Sequence, residues 1–296
     1  MPLNKDSIGN TFLVATLLCL ACSALVSTAA VGLKKIQNDN ILLDKRANIL
    51  KVSGFTEEDI EAAGGINELF KDRFDTLLID LETGELAAEE AAEAMKEAGK
   101  TVSDDTDAFV ASYDQHWCSK SKKAPVSDEL SKSEDIVGIK YREKFSHVYV
   151  LKSDDDKVEK YVFPVRSYGL WSMMKGYMAV EPDLQTVAGL TFYEQAETPG
   201  LGGEIMNPNW KAKWPGKKIY DGDKVGLEVS KTAEADDPYA IDALSGATIT
   251  SKGVTNLVEF WMGPSGFGPF IENRKAGDSA AANPKSTPAE SGVNHG

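Results

Sequence analysis

Asp242-Ala243-Leu244-Ser245-Gly246-Ala247-Thr248-Ile249-Thr250-Ser251 gathers more reactive and close-approach residues than any other stretch of this chain. Four of the ten carry a hydroxyl, and Gly246 and Ala247 between them have almost no side chain. Small residues let a ligand come close to the backbone, and hydroxyls beside bare N–H groups suit an anion such as phosphate. The same residues suit a second duty, because Ser245, Thr248 or Thr250 can cap a helix that follows from Lys252. Glu197-Thr198-Pro199-Gly200-Leu201-Gly202-Gly203-Glu204 is the other concentration of interest. It lacks the G-x-G-x-x-G spacing and no clear helix follows it, so it is not a Rossmann fingerprint. It reads either as a tight turn or as a wall of backbone amides beside a flat ligand, with Glu197 and Thr198 as polar contacts. Trp171, preceded by Gly169 and Leu170, reads as core or as a platform for such a ligand.

Unaided nucleophilic chemistry fits poorly. A Ser or Thr hydroxyl needs a neighbouring base, and the only histidines are His116, His147 and His295. His147 falls in a strand-like run and His295 in a tail, and each is expected at the surface. Cys19 and Cys22 lie in an apolar run, which leaves Cys118 alone in the polar part. That is too few for a disulfide framework or for a zinc or iron–sulfur site within the chain. Thr248 therefore becomes a covalent acceptor only if another enzyme activates it, and any redox chemistry here uses a borrowed cofactor.

The 296 residues carry 32 basic and 46 acidic side chains, a net charge of −14, which argues against a nucleic-acid surface. Thr11 to Leu33 is apolar and free of charge. At about 1.5 Å per helical residue it just spans a bilayer core of about 30 Å. A cleaved signal peptide is the alternative, with Lys5 as its basic start and Ser27-Thr28-Ala29-Ala30 as a cleavage site. The run exceeds the usual apolar length of about 7–15 residues for such peptides, which favours a retained anchor.

Residues 36–130 read as an acidic, mainly helical region. Thr56-Glu57-Glu58-Asp59 is an N-cap with an acidic third residue, and Phe55 with Ile60 has the spacing of a hydrophobic staple. Ile66, Leu69, Phe70, Phe74, Leu77 and Leu78 recur at helical intervals, and Glu85 to Lys100 is an Ala/Glu segment with a solvated face. Strand patterns begin after Ser133. His147 to Leu151 and Val158 to Val165 flank Ser153-Asp154-Asp155-Asp156 as a hairpin, followed by strands over Tyr177 to Val180, Val187 to Tyr193 and Val225 to Val229. The predicted organisation is a membrane anchor (1–35), the helical region (36–130), an α+β domain (131–275) and a disordered tail (276–296). The fold class is α+β, with antiparallel sheets, flanking helices and one N-terminal transmembrane helix.

Ser245-Gly246-Ala247-Thr248, preceded by Asp242 and followed by Thr250-Ser251, resembles the flavinylation motif of FMN-binding domains in bacterial respiratory complexes. In that family the last Thr of the motif holds FMN through a phosphoester, placed by a separate flavin transferase that uses FAD. Gly169-Leu170-Trp171-Ser172, Glu197 to Glu204 and Gly266-Phe267-Gly268-Pro269-Phe270 resemble in particular the C-subunit family of sodium-translocating NADH:quinone reductases. Asn207-Pro208-Asn209-Trp210, Trp214 to Tyr220 and Asp80 to Glu85 are similar to the same family, so that the resemblance runs from about residue 8 to 275.

The resemblance implies one component of a larger complex, anchored in the bacterial inner membrane by one helix, with its flavin domain in the periplasm. It would relay electrons beside the A, B, D, E and F subunits, without itself binding NADH or quinone, while the complex moves sodium outward. Thr248 would be the covalent FMN attachment point, with Ser245, Gly246, Ala247 and Thr250 around the phosphate. Leu170, Trp171, Glu197, Thr198, Leu201 and Gly202 would contact the ring or ribityl chain. The related G subunit of the ferredoxin:NAD complex and a membrane-anchored flavin sensor are the alternatives. Lys34, Lys35, Lys45 and Arg46 after the span favour a cytoplasmic domain by the positive-inside rule, but long domains translocate largely regardless of charge.

Overall fold

The computed structural model describes residues 8–97, 126–234 and 236–282, with side chains to residue 277. Two compact units divide the chain, Met1–Arg46 and Ala47–Gly296. His116, Cys118, His295 and the segment from Thr101 to Asp114 lie outside the described residues.

Helix α1 runs from Ile8 to Val52. The smaller unit holds this helix as far as Arg46, and in its apolar part Phe12, Leu13, Leu17, Leu20 and Leu25 are all more than half exposed. An 18-residue stretch of this helix has a mean hydropathy of 2.2 and no buried share, so α1 is long and apolar enough to cross a membrane.

The larger unit is built on a five-stranded antiparallel sheet. Its strands are β1 (Phe74–Asp80), β4 (Phe145–Lys152), β5 (Val158–Tyr168), β6 (Met173–Val180) and β7 (Val187–Glu194), in the order β1-β4-β5-β6-β7. Between β1 and β4 in the chain, β2 (Ser127–Glu129) and β3 (Tyr141–Glu143) pair separately. The last four strands of the sheet form a meander, as their Val/Tyr/Phe/Met content and short polar turns require. Both faces are covered, which is why β4 and β6 are buried almost throughout. Helices α6 (Thr248–Met262) and α7 (Gly268–Ala282) cover one face. Val254, Leu257, Val258, Trp261, Phe267 and Phe270 pack there against Val148, Phe163, Met178 and Phe192. Ile49 and Leu50, with Leu69 and Phe70 of α3 (Ile66–Arg73), cover the other face.

Antiparallel sheet and flanking helices agree with the expected class, but several local expectations are corrected. Phe74 to Leu78 form strand β1 rather than a continued helix: their helical spacing is outweighed by seven register pairs with β4. His147, expected at the surface, is 2% exposed, because helices cover both faces of the strand that carries it. Val225 to Val229 divides into β9 (Lys224–Val225), which pairs with β8 (Tyr220–Asp221), and β10 (Glu228–Ser230). Strand β10 pairs in parallel with β11 (Ala240–Asp242). Helix α7 continues past residue 275, where the tail was expected to begin. The capping box appears as read at the start of α2 (Glu57–Ala62), with Thr56 Oγ1 accepting the Asp59 N–H and Asp59 accepting the Thr56 N–H. The Ala/Glu segment holds helix α4 (Ala88–Glu97), which buries only Ala91 and Met95.

Candidate functional site

Three connections converge at one end of the sheet: the β5–β6 loop, the segment after β7, and the turn between β11 and α6. Trp210 and Lys213 fix the approach to the last of these. The Trp210 indole N–H donates to the Asp242 carbonyl at 2.9 Å, and Lys213 Nζ donates to the Asp242 carboxylate at 2.6 Å. The chain then turns at Gly246, whose φ of 72° lies in the left-handed region that favours glycine. A side chain there would also meet Leu201 Cδ2 at 2.9 Å.

Helix α6 starts at Thr248, not after Lys252, and its N-cap is Ala247. No side chain caps it, so the capping reading of Ser245, Thr248 and Thr250 fails. The Thr248, Ile249 and Thr250 amides have no hydrogen-bond partner among the described residues. They stand at the positive end of a 15-residue helix, which is how backbone alone attracts an anionic oxygen. Thr248 itself is exposed. Ser251, one turn on, is buried and accepts the Leu244 N–H at 3.1 Å, which ties the turn to the helix.

Glu197 joins the other two connections. It is 5% exposed and accepts four hydrogen bonds. Oε1 takes the Trp171 and Ser172 amides at 2.9 and 3.1 Å, and Oε2 takes the Leu170 amide at 3.1 Å and the Thr250 hydroxyl at 2.7 Å. Burial pushes its carboxyl pKa up. The Thr250 hydroxyl and the Trp171, Leu170 and Ser172 amides outweigh that and hold it below the ordinary glutamate value. Gly202 sits so close that a Cβ would lie 2.5 Å from Thr250 Oγ1.

A cleft of about 210 Å³ opens between these segments, lined by Leu170, Glu197, Thr198, Leu201, Gly202, Gly246, Ala247, Thr248, Ile249 and Thr250. Nine of the eleven residues singled out from sequence therefore share one cleft, while Ser245 and Trp171 stand beside it and do not line it. Ile249, 55% exposed, is a lining residue the sequence reading passed over; its place in the helix's first turn was hidden by the late helix start.

Three expectations change in detail. Trp171 is 69% exposed, so the core reading of this residue falls. Thr250 is 2% exposed with its hydroxyl committed to Glu197, and both Glu197 oxygens already serve the protein. The Gly-rich segment itself runs into a 3₁₀ turn (Gly202–Met206), followed by a short helix α5 (Pro208–Lys211), elements too brief for periodicity to reveal. Chemically, the cleft joins an anion-attracting helix start and a free hydroxyl to the half-exposed apolar side chains of Leu170, Leu201 and Ile249. Those parts fit a flat aromatic group that carries a phosphate.

Residues 169–263, which include all three connections, match the FMN-binding domain family. The C subunit of the Na(+)-translocating NADH-quinone reductase of Pasteurella multocida is 44% identical over 275 residues, 93% of this chain and 97% of that protein. The protein of the same name from Vibrio parahaemolyticus is 42% identical, covering 94% of this chain and 99% of its own length. The crystal structure of Shewanella oneidensis NqrC superposes with a TM-score of 0.61 at 31% identity, over 78% of this chain and 98% of that one.

Proposed function

This chain belongs to the C-subunit family of Na(+)-translocating NADH-quinone reductases, and from that premise we propose that it is the electron-relay subunit of such a complex, carrying FMN on Thr248. The observation that carries the reading is the exposed Thr248 at the uncapped start of α6, on the wall of a cleft with apolar sides. A phosphoester places the FMN phosphate where the helix amides of Thr248, Ile249 and Thr250 favour negative charge. Forming it from FAD makes a bond from Thr248 Oγ1 to the FMN phosphorus and breaks the pyrophosphate. AMP leaves, and the hydroxyl proton passes to a base of the flavin transferase, since no histidine lines this cleft.

When bound, FMN supplies one- and two-electron redox chemistry. The chain's residues do the holding. Thr248 tethers, Gly246 and Ala247 give clearance, Leu170, Leu201 and Ile249 exclude water from a ring, and Thr198 offers a polar contact at the rim. The relatives that span more than nine-tenths of the chain carry the C-subunit name, which favours this reading over the G-type one. In a strain that supplies the flavin transferase, the wild-type protein fluoresces in a denaturing gel and Thr248→Ala does not, although it remains folded. Fluorescence retained by the variant overturns the attachment.

α1 serves as a retained single-pass anchor in the inner membrane, with the flavin domain on the periplasmic side and the other subunits of the complex as partners. A covalent tether suits that side, where no flavin pool refills an empty site. A periplasmic reporter fused after Gly296 is then active, and a fusion active only in the cytoplasm sinks this topology.

A further inference from the structure

Glu197 does something that hydrogen-bond counting alone does not explain. A glutamine in its place has one acceptor oxygen, so its NH₂ would face at least one of the backbone N–H groups that now point at a carboxylate. Only an ionised carboxylate accepts all four. It is also boxed in, because a Cβ on Gly169 would lie 2.6 Å from Oε1 and one on Gly202 2.8 Å from Oε2. The sequence keeps both positions bare, and the carboxylate bonds the β5–β6 loop and α6 at once.

The charge is held by dipoles alone. None of the salt bridges among the described residues includes Glu197. A buried charge without a counter-ion is costly to keep unless hydrogen bonds compensate it, and its field is weakly screened. This one lines the cleft.

We propose that Glu197 is the positioning residue of the site and that its negative charge is a working part of it. The carboxylate clamps the Leu170–Ser172 loop to the first turn of α6, and its field lowers the reduction potential of a flavin held in the cleft. The second half rests on the flavin reading above; the first does not. An electron that enters the cleft without a proton adds negative charge beside a fixed negative charge. The opposing pull of the α6 N-terminus is unchanged by a substitution at residue 197.

The test uses the full-length protein made with the flavin transferase, as wild type, Glu197→Gln and Thr250→Val. Hydrogen exchange of the Leu170, Trp171 and Ser172 amides reports the clamp with or without flavin, and spectroelectrochemistry of the loaded protein reports the field. In E197Q at least one of these amides exchanges about tenfold faster, the loss of roughly one hydrogen bond, and the flavin potential moves to more positive values. T250V cuts the one bond from the carboxylate to α6 and leaves the charge with its three amides, so its loop amides stay better protected than those of E197Q and its potential shifts less.

Wild-type exchange rates in E197Q overturn the proposal whether or not that variant carries flavin. An unchanged potential in loaded E197Q overturns the electrostatic half. If E197Q does not fold, the wild type still decides: Leu170, Trp171 and Ser172 amides that exchange there as fast as exposed ones mean that no clamp exists. A wild-type protein that never acquires flavin contradicts the proposed function instead, and the exchange result stands apart from it.

Discussion

Two glutamates of the larger unit are almost equally buried, Glu143 at 2% and Glu197 at 5% exposed, yet the protein treats them in opposite ways. Glu143 is neutralised. Arg166 donates to it through both terminal nitrogens, with Nη1 at 2.7 Å from Oε1 and Nη2 on Oε2. The guanidinium also lies 4.8 Å from the centre of the Trp261 ring, and the Trp261 indole N–H donates to the Arg166 carbonyl at 2.7 Å. That pair, fork to fork, joins β3 to strand β5 of the sheet, and Trp261 of helix α6 lies against its guanidinium. Glu197 receives only three amides and a hydroxyl. The difference separates a charge that serves the fold from a charge placed on the wall of a cleft.

Breaking the first pair gives the largest effect. Arg166→Met leaves Glu143 buried and uncompensated, and about 3–5 kcal/mol of stability is lost. Urea unfolding measures it, and the Arg166→Met/Glu143→Leu double variant recovers most of the loss. A single variant within about 1 kcal/mol of wild type, as urea unfolding reads it, would show that the pair is not what holds β3 to the sheet.

A smaller effect separates the two sites by pH. Because hydrogen bonds hold the Glu197 pKa below its ordinary value, this group favours the folded state above the unfolded glutamate range, near about 4.3. Its contribution fades as pH falls from there through the folded pKa. Wild type therefore loses more stability than E197Q between about pH 6 and 3. Equal losses in both proteins would contradict an ionised Glu197. At about pH 6 and above, E197Q itself is destabilised by about 1–3 kcal/mol, from donors left facing an amide.

Much of this was legible in the sequence, for reasons that differ from place to place. The β4–β5 hairpin showed itself because Val/Tyr alternation and an Asp-rich turn are local signals. The cleft's membership showed itself because small and hydroxylated residues cluster in two short runs. Strand β1 was hidden, since Phe74, Leu77 and Leu78 fit a helical period and only the partner strand, far along the chain, decides otherwise. The role of Glu197 was hidden for the same kind of reason. Its donors come from residues 170–172 and 250, and no spacing along the chain shows that they meet. Trp171 was misleading because large aromatic residues are usually buried. Here its backbone N–H is bonded inside while the ring stays outside.

The central claim is that Thr248 is the tether, and one measurement bears on it most directly. Mass spectrometry of the peptide that contains Ser245 to Lys252, from protein made with the flavin transferase, should show the mass of FMN minus water, with fragment ions placing it on Thr248. Thr250 is buried against Glu197 and should carry none. An unmodified peptide, or an adduct on Ser245, Thr250 or Ser251, would contradict the account.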